Sequence, residues 1–364
     1  MIMAKMTVSG VEDEIDYQKL MREFGVEPID TVAGKVPNPS MMFRRGIIFA
    51  HRDLGAILES AKNKKPFAVL TGFNPSGELH LGNLFFLKQA LFFQKLGGTF
   101  YLPISNDETY VFKKSDDLDK TTDFAYKEVI PSIIAVGFEP EKTKIFVSTR
   151  TPKAYELAVK LSRRATFSTI KAIFGFTNDT NVGQIFYTVM QSAHILFPQL
   201  REYGGPKPTV VPVGLDQDPY LRLVRDVAEK EGFVKPSSTY HKFMPGLQGG
   251  KMSGSKPETC IYLNDEPAVA RKKIMRAFSG GGASLEEHRA KGGDTEKDVA
   301  FQYLKFMFEE DDAKLGEIEK AFRSGAMTSG EIKKLLTDRV ERFLREHQQR
   351  KEKARKLIKK FLIQ

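Results

Sequence analysis

Two short strings in this chain combine glycines with side chains able to hold phosphate. Pro75-Ser76-Gly77-Glu78-Leu79-His80-Leu81-Gly82-Asn83 runs into an apolar-periodic segment through Leu84, Leu87, Leu91 and Leu96. It therefore enters a helix, whose first N–H groups lack intrahelical partners and carry partial positive charge. Pro75, Gly77 and Gly82 shape the turn and let an anion approach the backbone, while His80 and Asn83 can donate to its oxygens. The second string, Gly249-Gly250-Lys251-Met252-Ser253-Gly254-Ser255-Lys256-Pro257, sets a lysine and hydroxyls among glycines. Such a loop can close over a triphosphate and neutralise charge as it develops. Alone, the first is an ordinary turn and the second a solvated link. Their pairing, about 170 residues apart on a chain that alternates strand and helix, is what indicates chemistry.

The elements that must position these strings follow from the apolar pattern. Phe67-Ala68-Val69-Leu70 is a short buried strand, then come the turn Thr71 to Gly77 and a helix, the opening of a βαβ unit. Thr99 to Ile104, Lys144 to Ser148 and Thr209 to Val213 are further strands, with Pro212 favouring a strand end or bulge. Strands alternating with helices predict an α/β fold with a parallel sheet covered on both faces. Ligands of such sheets bind outside the carboxyl ends of the strands, so the loops after Leu70, Ile104 and Val213 are the candidate site.

At 364 residues, with 41% apolar and 28% charged residues, the chain has the composition of two or three ordinary globular units, and disorder or a collagen-like repeat is excluded as a description of the whole. No apolar run reaches membrane-span length and Met1 to Gly10 lacks the layout of a secretory signal, which predicts a cytoplasmic protein without membrane contact. With Cys260 the sole cysteine and six scattered histidines, no structural metal site is expected. Residues 1–45, acidic at the start and then broken by Pro28, Gly34, Pro37 and Pro39, suit an appended arm. The net charge of +10 is concentrated at the end: from Glu341 to Gln364 nine basic residues face three acidic ones, a local +6 on a helix-periodic segment. A solvated face is the ordinary reading of such a helix; a polyanionic partner is the sharper one.

The two strings in this order resemble the signatures of class I aminoacyl-tRNA synthetases, a His-x-Gly-His element after the first strand and a Lys-Met-Ser-Lys-Ser loop. Further strings narrow the resemblance: Gly214-Leu215-Asp216-Gln217-Asp218-Pro219-Tyr220, Ala277-Phe278-Ser279-Gly280-Gly281, Glu286-Glu287-His288-Arg289 and Phe308-Glu309-Glu310-Asp311-Asp312. From about Phe67 to the C-terminus the chain is similar to the tryptophanyl-tRNA synthetases of the archaeal and eukaryotic type.

That resemblance implies a Rossmann-type catalytic domain at 46–265 with a connective insertion at about 113–205, and an all-helical anticodon-binding domain at 266–364. It implies activation of L-tryptophan by ATP with Mg²⁺, transfer to tRNA(Trp), and a homodimer built through the insertion, where Phe167, Phe174, Phe176, Phe186 and Phe197 serve as core, as dimer patch, or as both. His80, Asn83, Lys251, Ser253 and Ser255 match the catalytic signatures. Pro75, Gly77, Gly82, Gly214, Asp216, Met252 and Gly254 match the nucleotide site, with Asp216 toward the ribose and Met252 toward the adenine. Glu108 matches the amino-group partner, Gln191 another polar contact to the amino acid, and Gln217 the glutamine that reads the indole N–H. Asn83 and Gly254 stand where the class signatures have a second histidine and a second lysine. Leu70 and Pro103 stand where eukaryotic members have a tyrosine and a glutamine, leaving Gln217 to read the indole without that tyrosine. Tyrosyl-tRNA synthetase is the alternative within the class, and a non-catalytic tRNA- or amino-acid-binding paralogue the alternative outside it.

Overall fold

A computed structural model describes residues 17–250, 252, 254 and 256–363. Strands β1 (Glu27–Pro28), β2 (Ile48–Arg52), β3 (Ala68–Leu70), β4 (Thr99–Ile104), β5 (Thr143–Val147), β6 (Thr209–Gly214) and β7 (Ser237–His241) form one sheet in the order β1-β2-β7-β6-β3-β4-β5. The five strands from β7 to β5 run parallel, and β2 and β1 extend the sheet antiparallel beyond β7. The side-chain alternation expected of a doubly covered sheet is visible in β3. Val69 enters one apolar cluster, with helix α2 (Leu81–Lys95) and the C-terminal helices, while Ala68 and Leu70 enter the other, with helices α4 (Val182–Leu196) and α5 (Asp218–Lys230).

The sheet opens at its centre on the β6 side of β3, beside Pro212. β3 stops at Leu70, opposite Tyr101, whereas β4 and β6 continue. Pro212 sits in β6 at the alternating position that faces the missing end of β3, while Pro103 of β4 keeps a neighbour there, its carbonyl accepting from Phe73 N at 2.9 Å where Phe73 bridges Ile104. Pro103 still pairs with Phe146 of β5 and Pro212 with Thr239 of β7 on their outer sides. Proline has no N–H to offer a ladder. Pro212 is thus inside a strand, neither at an end nor in a bulge, at the place where the neighbour on its donor side has ended. The crevice lies where the strand order reverses, between β3 and β6.

Strand β7 is absent from the apolar pattern because its composition is polar, whereas β2, apolar and buried at Ile48, Phe49 and Ala50, was not marked by its pattern. Ser237-Ser238-Thr239-Tyr240-His241 is buried throughout, and its hydroxyls bond inward: Ser237 to Asp53 O at 2.8 Å and Tyr240 to Asp218 Oδ1 at 2.5 Å. Residues 17–45, expected as an appended arm, are instead packed into the body. Met41, Met42 and Phe43 join the main core, with the Phe43 ring 5.2 Å from that of Phe92. Helix α1 (Tyr17–Phe24) lays Tyr17 on Phe49 at 4.6 Å. Residues 1–16, where the acidic stretch falls, lie outside the described residues.

Asp218, in the resemblance-bearing string, is structural. Its carboxylate is fully buried and accepts from Arg52 Nε at 3.0 Å, Arg222 Nε at 2.9 Å and the Tyr240 hydroxyl. Arg52 also donates to Phe24 O and Gly25 O, tying α1 to the sheet. Removing one partner of a buried pair strands the other charge. Asp218→Ala is expected to lower unfolding stability by about 3 kcal/mol, read as a shift of the urea midpoint at constant slope; an unchanged midpoint would contradict the assignment.

In the C-terminal third, helix α6 (Ser329–Arg355) starts at a capping box in which Thr328 and Glu331 satisfy each other's backbone N–H groups. It buries Ile332, Leu336, Val340, Leu344 and His347 along one stripe. After a break at Lys356 and Leu357 the chain returns to the sheet, where Leu362 bridges Ile145 beside β5. The basic surplus divides in two. Lys351 and Arg355 hold Glu128 at 2.6 and 3.0 Å, Arg345 pairs with Glu341, and Arg350 donates to Ala135 O. Arg342, Lys353, Lys356, Lys359 and Lys360 are exposed and form no ion pair with a described residue. Within the segment about 113–205, Phe197 is core, Phe174 packs on Phe176 and Tyr220, and Phe167 is 51% exposed.

Candidate active site

Helix α2 begins at His80 because His80 and Asn83 cap it mutually. Asn83 Oδ1 accepts from His80 N at 2.9 Å, and His80 Nδ1 accepts from Gly82 N at 3.2 Å. An accepting Nδ1 puts the proton of the neutral ring on Nε2, where it is available to a ligand. Burial holds the His80 pKa down to about 4, so the ring works as a neutral donor. Asn83 keeps its amide N–H groups for the same purpose. Gly82 keeps this turn uncrowded: a Cβ there would lie 3.0 Å from the His80 ring and 3.0 Å from Met252 Sδ.

Met252 lines the cavity from the second string, and Gly254 lies against the His80 ring, its carbonyl accepting from Tyr262 OH at 2.8 Å. Lys251, Ser253 and Ser255 lie outside the described residues. The two strings thus meet at His80, although they are far apart in sequence.

The cavity, of about 410 Å³, opens at the carboxyl ends of β3 and β6. Leu70, His80, Gly82, Asn83, Glu108, Gln191, Asp216, Gln217 and Met252 all line it. Pro75, Gly77, Gly214 and Gly254 do not. Pro75 and Gly77 belong to the turn before the helix, and Gly214 acts by absence, since a Cβ on it would come within 2.5 Å of Asp216 Oδ1. The glycine therefore lets the Asp216 carboxylate turn toward the crevice.

Glu108 sits on helix α3 (Asn106–Val111), which begins directly after β4. Its Oε1 accepts from Asn74 Nδ2 at 2.8 Å and Lys114 Nζ at 3.2 Å, and its Oε2 from Tyr187 OH at 3.0 Å. Asp107 fixes the start of the helix by accepting from Glu108 N, Ser148 Oγ and Tyr155 OH. Gln191 and Tyr187 lie four residues apart on one face of helix α4 (Val182–Leu196). Gln217 precedes helix α5 (Asp218–Lys230), with its amide 3.5 Å from Asp216. Burial raises the hydroxyl pKa of both Tyr187 and Tyr220, which keeps them protonated beside Glu108. Leu70 and Pro103 also line the cavity, with apolar side chains.

Asn74, Tyr187, Tyr220, His194 and His241 also line the cavity and were not marked by the sequence reading. Tyr187 was within reach of it, one helical turn before Gln191. Asn74 lies in the loop after β3, and Tyr220 closes the string that contains Gln217. His194 and His241 give no such signal, because each is a lone histidine outside any motif, and such a residue is usually core.

The chain matches the model of the class I tRNA synthetases (W and Y) over residues 62–345. It is 42% identical over 353 residues to a tryptophan–tRNA ligase of Methanocaldococcus jannaschii, covering 96% of this chain and 95% of that one. A second, from Saccharolobus solfataricus, is 41% identical, with 96% and 93% covered. Among solved structures, tryptophanyl-tRNA synthetase from Aeropyrum pernix K1 superposes with a TM-score of 0.90 at 38% identity, covering 96% of each chain. That of Encephalitozoon cuniculi, solved bound to tryptophan, superposes at 0.84 with 29% identity, covering 95% of this chain and 99% of that one. With a shared fold, signatures that converge on one crevice, and this similarity along nearly its whole length, the chain belongs to the tryptophanyl-tRNA synthetases of class I.

Proposed function

We propose that this protein attaches L-tryptophan to tRNA(Trp) in two steps within the one cavity. The tryptophan carboxylate attacks the α-phosphorus of ATP, the bond to the bridging oxygen of the β-phosphate breaks, and pyrophosphate leaves with that oxygen. A hydroxyl of the terminal adenosine of tRNA then attacks the carbonyl carbon of the mixed anhydride, and AMP departs. No protein nucleophile is involved, so the protein acts by alignment and charge stabilisation.

His80 Nε2–H, the Asn83 amide and the first N–H groups of α2 hold phosphate oxygens, and Lys251, Ser253 and Ser255 close over the triphosphate. Asp216 takes the ribose hydroxyls, with Gly214 leaving it room. Glu108 receives the tryptophan ammonium, Gln191 contacts the amino acid, and Gln217 supplies a carbonyl to the indole N–H between the walls formed by Leu70 and Pro103. No group of three metal-ligating side chains lies together among the described residues. Mg²⁺ enters as part of the substrate, carried on the phosphates of ATP. The helical third at 266–364 reads tRNA, its exposed Arg342, Lys353, Lys356, Lys359 and Lys360 toward phosphates. The insertion at about 113–205 pairs two copies through the face bearing Phe167, and the enzyme works in the cytoplasm. No helix among the described residues is long and apolar enough to cross a membrane.

The observation that carries this reading is the convergence of the α2 N-terminus, Met252, Glu108, Gln191 and Gln217 on one cavity where the strand order reverses. The test is amino-acid-dependent exchange of labelled pyrophosphate into ATP. Exchange is expected with tryptophan and not with tyrosine or phenylalanine. Gln217→Ala is expected to weaken tryptophan by up to about tenfold, one neutral hydrogen bond. Exchange with none of the three would leave a non-catalytic paralogue as the better account.

A further inference from the structure

His241 ends β7 directly across from Gly214 of β6, and it lines the cavity, its ring 6.4 Å from that of Phe243. Its side chain is buried, and its Nδ1 lies 2.9 Å from Lys242 O. A carbonyl only accepts, so Nδ1 carries the proton and Nε2 of the neutral ring is an acceptor. That Nε2 is buried with no hydrogen-bond partner. The ring stands edge-on to Phe85 at 4.8 Å and to Phe86 at 4.5 Å, which fixes its orientation between them. A buried acceptor held without a partner at a cavity wall calls for a donor on the ligand.

The identity of that donor follows if ATP occupies the cavity as proposed above, and this inference rests on that reading. Adenosine offers its ribose hydroxyls and its 6-amino group as donors. Asp216, two residues after Gly214, supplies carboxylate oxygens for the hydroxyls, which leaves the amino group. The rings of Phe85 and Phe86 beside His241 make surroundings suited to a flat base rather than to a sugar or phosphate. We propose that His241 Nε2 accepts a hydrogen bond from the 6-amino group of adenine and makes the site selective for ATP over GTP. Guanine presents an acceptor oxygen at the same place, so two lone pairs would face each other in a buried site.

The experiment is tryptophan-dependent pyrophosphate exchange by the full chain with ATP, GTP and purine riboside triphosphate, whose base is adenine without the 6-amino group. The unaltered enzyme is expected to prefer ATP to the purine analogue by about tenfold in kcat/KM, the worth of one hydrogen bond in a buried site, and to use GTP least. In His241→Phe, which keeps a ring between Phe85 and Phe86, the preference for ATP over the analogue is expected to fall toward one while the KM for tryptophan stays unchanged. His241→Gln, which retains an acceptor, should recover part of it. An unaltered enzyme that uses the analogue as well as ATP overturns the proposal without any variant. So does a His241→Phe enzyme that keeps the full preference, or one whose defect disappears with 2′-deoxy-ATP, since that would assign the acceptor to the ribose. Failure of the unaltered enzyme to exchange at all is a different outcome: it removes the ATP reading itself, and this inference with it.

Discussion

Replacing Glu108 by glutamine is expected to raise the KM for tryptophan by about 10- to 150-fold, the loss of one charge-assisted hydrogen bond of about 1.5–3 kcal/mol, with the KM for ATP nearly unchanged. The carboxylate is held by Asn74, Lys114 and Tyr187, three donors from three different segments, so its position is fixed before any ligand arrives. Tyr187 spends its proton on Glu108 Oε2, and burial keeps that hydroxyl protonated. A ligand ammonium thus meets a prepared anion and need not order one. Glutamine is nearly the same size and keeps one carbonyl oxygen, so the fold should persist and the defect should lie in tryptophan binding. Pyrophosphate exchange against tryptophan concentration, with calorimetric titration of tryptophan alone, measures it. A KM within twofold of the unaltered enzyme would remove Glu108 from the amino-group role.

Acid should destabilise this protein well before its carboxylates titrate. Burial lowers the pKa of His80, His241 and His347 from 6.5 to about 4 each, and in His347 the neighbouring Arg350 and Lys351 add to the effect. His51 and His194 are lowered in the same direction, again by burial. The unfolded chain takes up these protons near pH 6.5 while the folded chain refuses them until about pH 4. Stability is therefore fully present above pH 6.5 and is lost progressively as pH falls toward 4, by up to about 3 kcal/mol for each strongly lowered histidine. Glu128 and Glu341 also have lowered pKa values, in Glu128 because Lys351 and Arg355 together outweigh burial and in Glu341 through Arg271, but the ordinary value of a glutamate is already 4.5. Their contribution is lost only below that value, so the window from 6.5 to 4.5 belongs to the histidines. Urea midpoints at pH 7.5, 6.0 and 5.0 should fall steadily. In His347→Leu, which removes the ring that meets Ser132 Oγ at 3.0 Å, the fall should be shallower by about one proton's worth. A midpoint that is level from pH 7.5 to 5.0 would contradict this account.

The face carrying Phe167 and the exposed lysines of the last helix show how one compositional feature can hold two physical roles. Of nine basic residues after Glu341, Lys351 is buried against Glu128 and Asn264, whereas Lys359 and Lys360 point to solvent. Helical spacing indicates which residues share a stripe. It does not say that a carboxylate from residue 128 comes to meet that stripe.

What the sequence determined by itself was local in origin. Apolar runs located β3, β4, β5 and β6 to within a residue or so, because those strands are buried on both faces and must be apolar. Glycine spacing and the types of His80, Asn83 and Lys251 marked the phosphate strings, and family resemblance extended this to Glu108, Gln191 and Gln217. Tertiary structure decided the rest. Strand β7 could be polar because Asp53, Gln89 and Asp218 take the hydroxyls of Ser237, Thr239 and Tyr240. Pro212 could stand within a central strand because β3 had already ended beside it. The single tautomer of His80 and the unpartnered nitrogen of His241 depend on hydrogen bonds and packing that exist only once separate segments have come together, so no spacing in the chain encodes them.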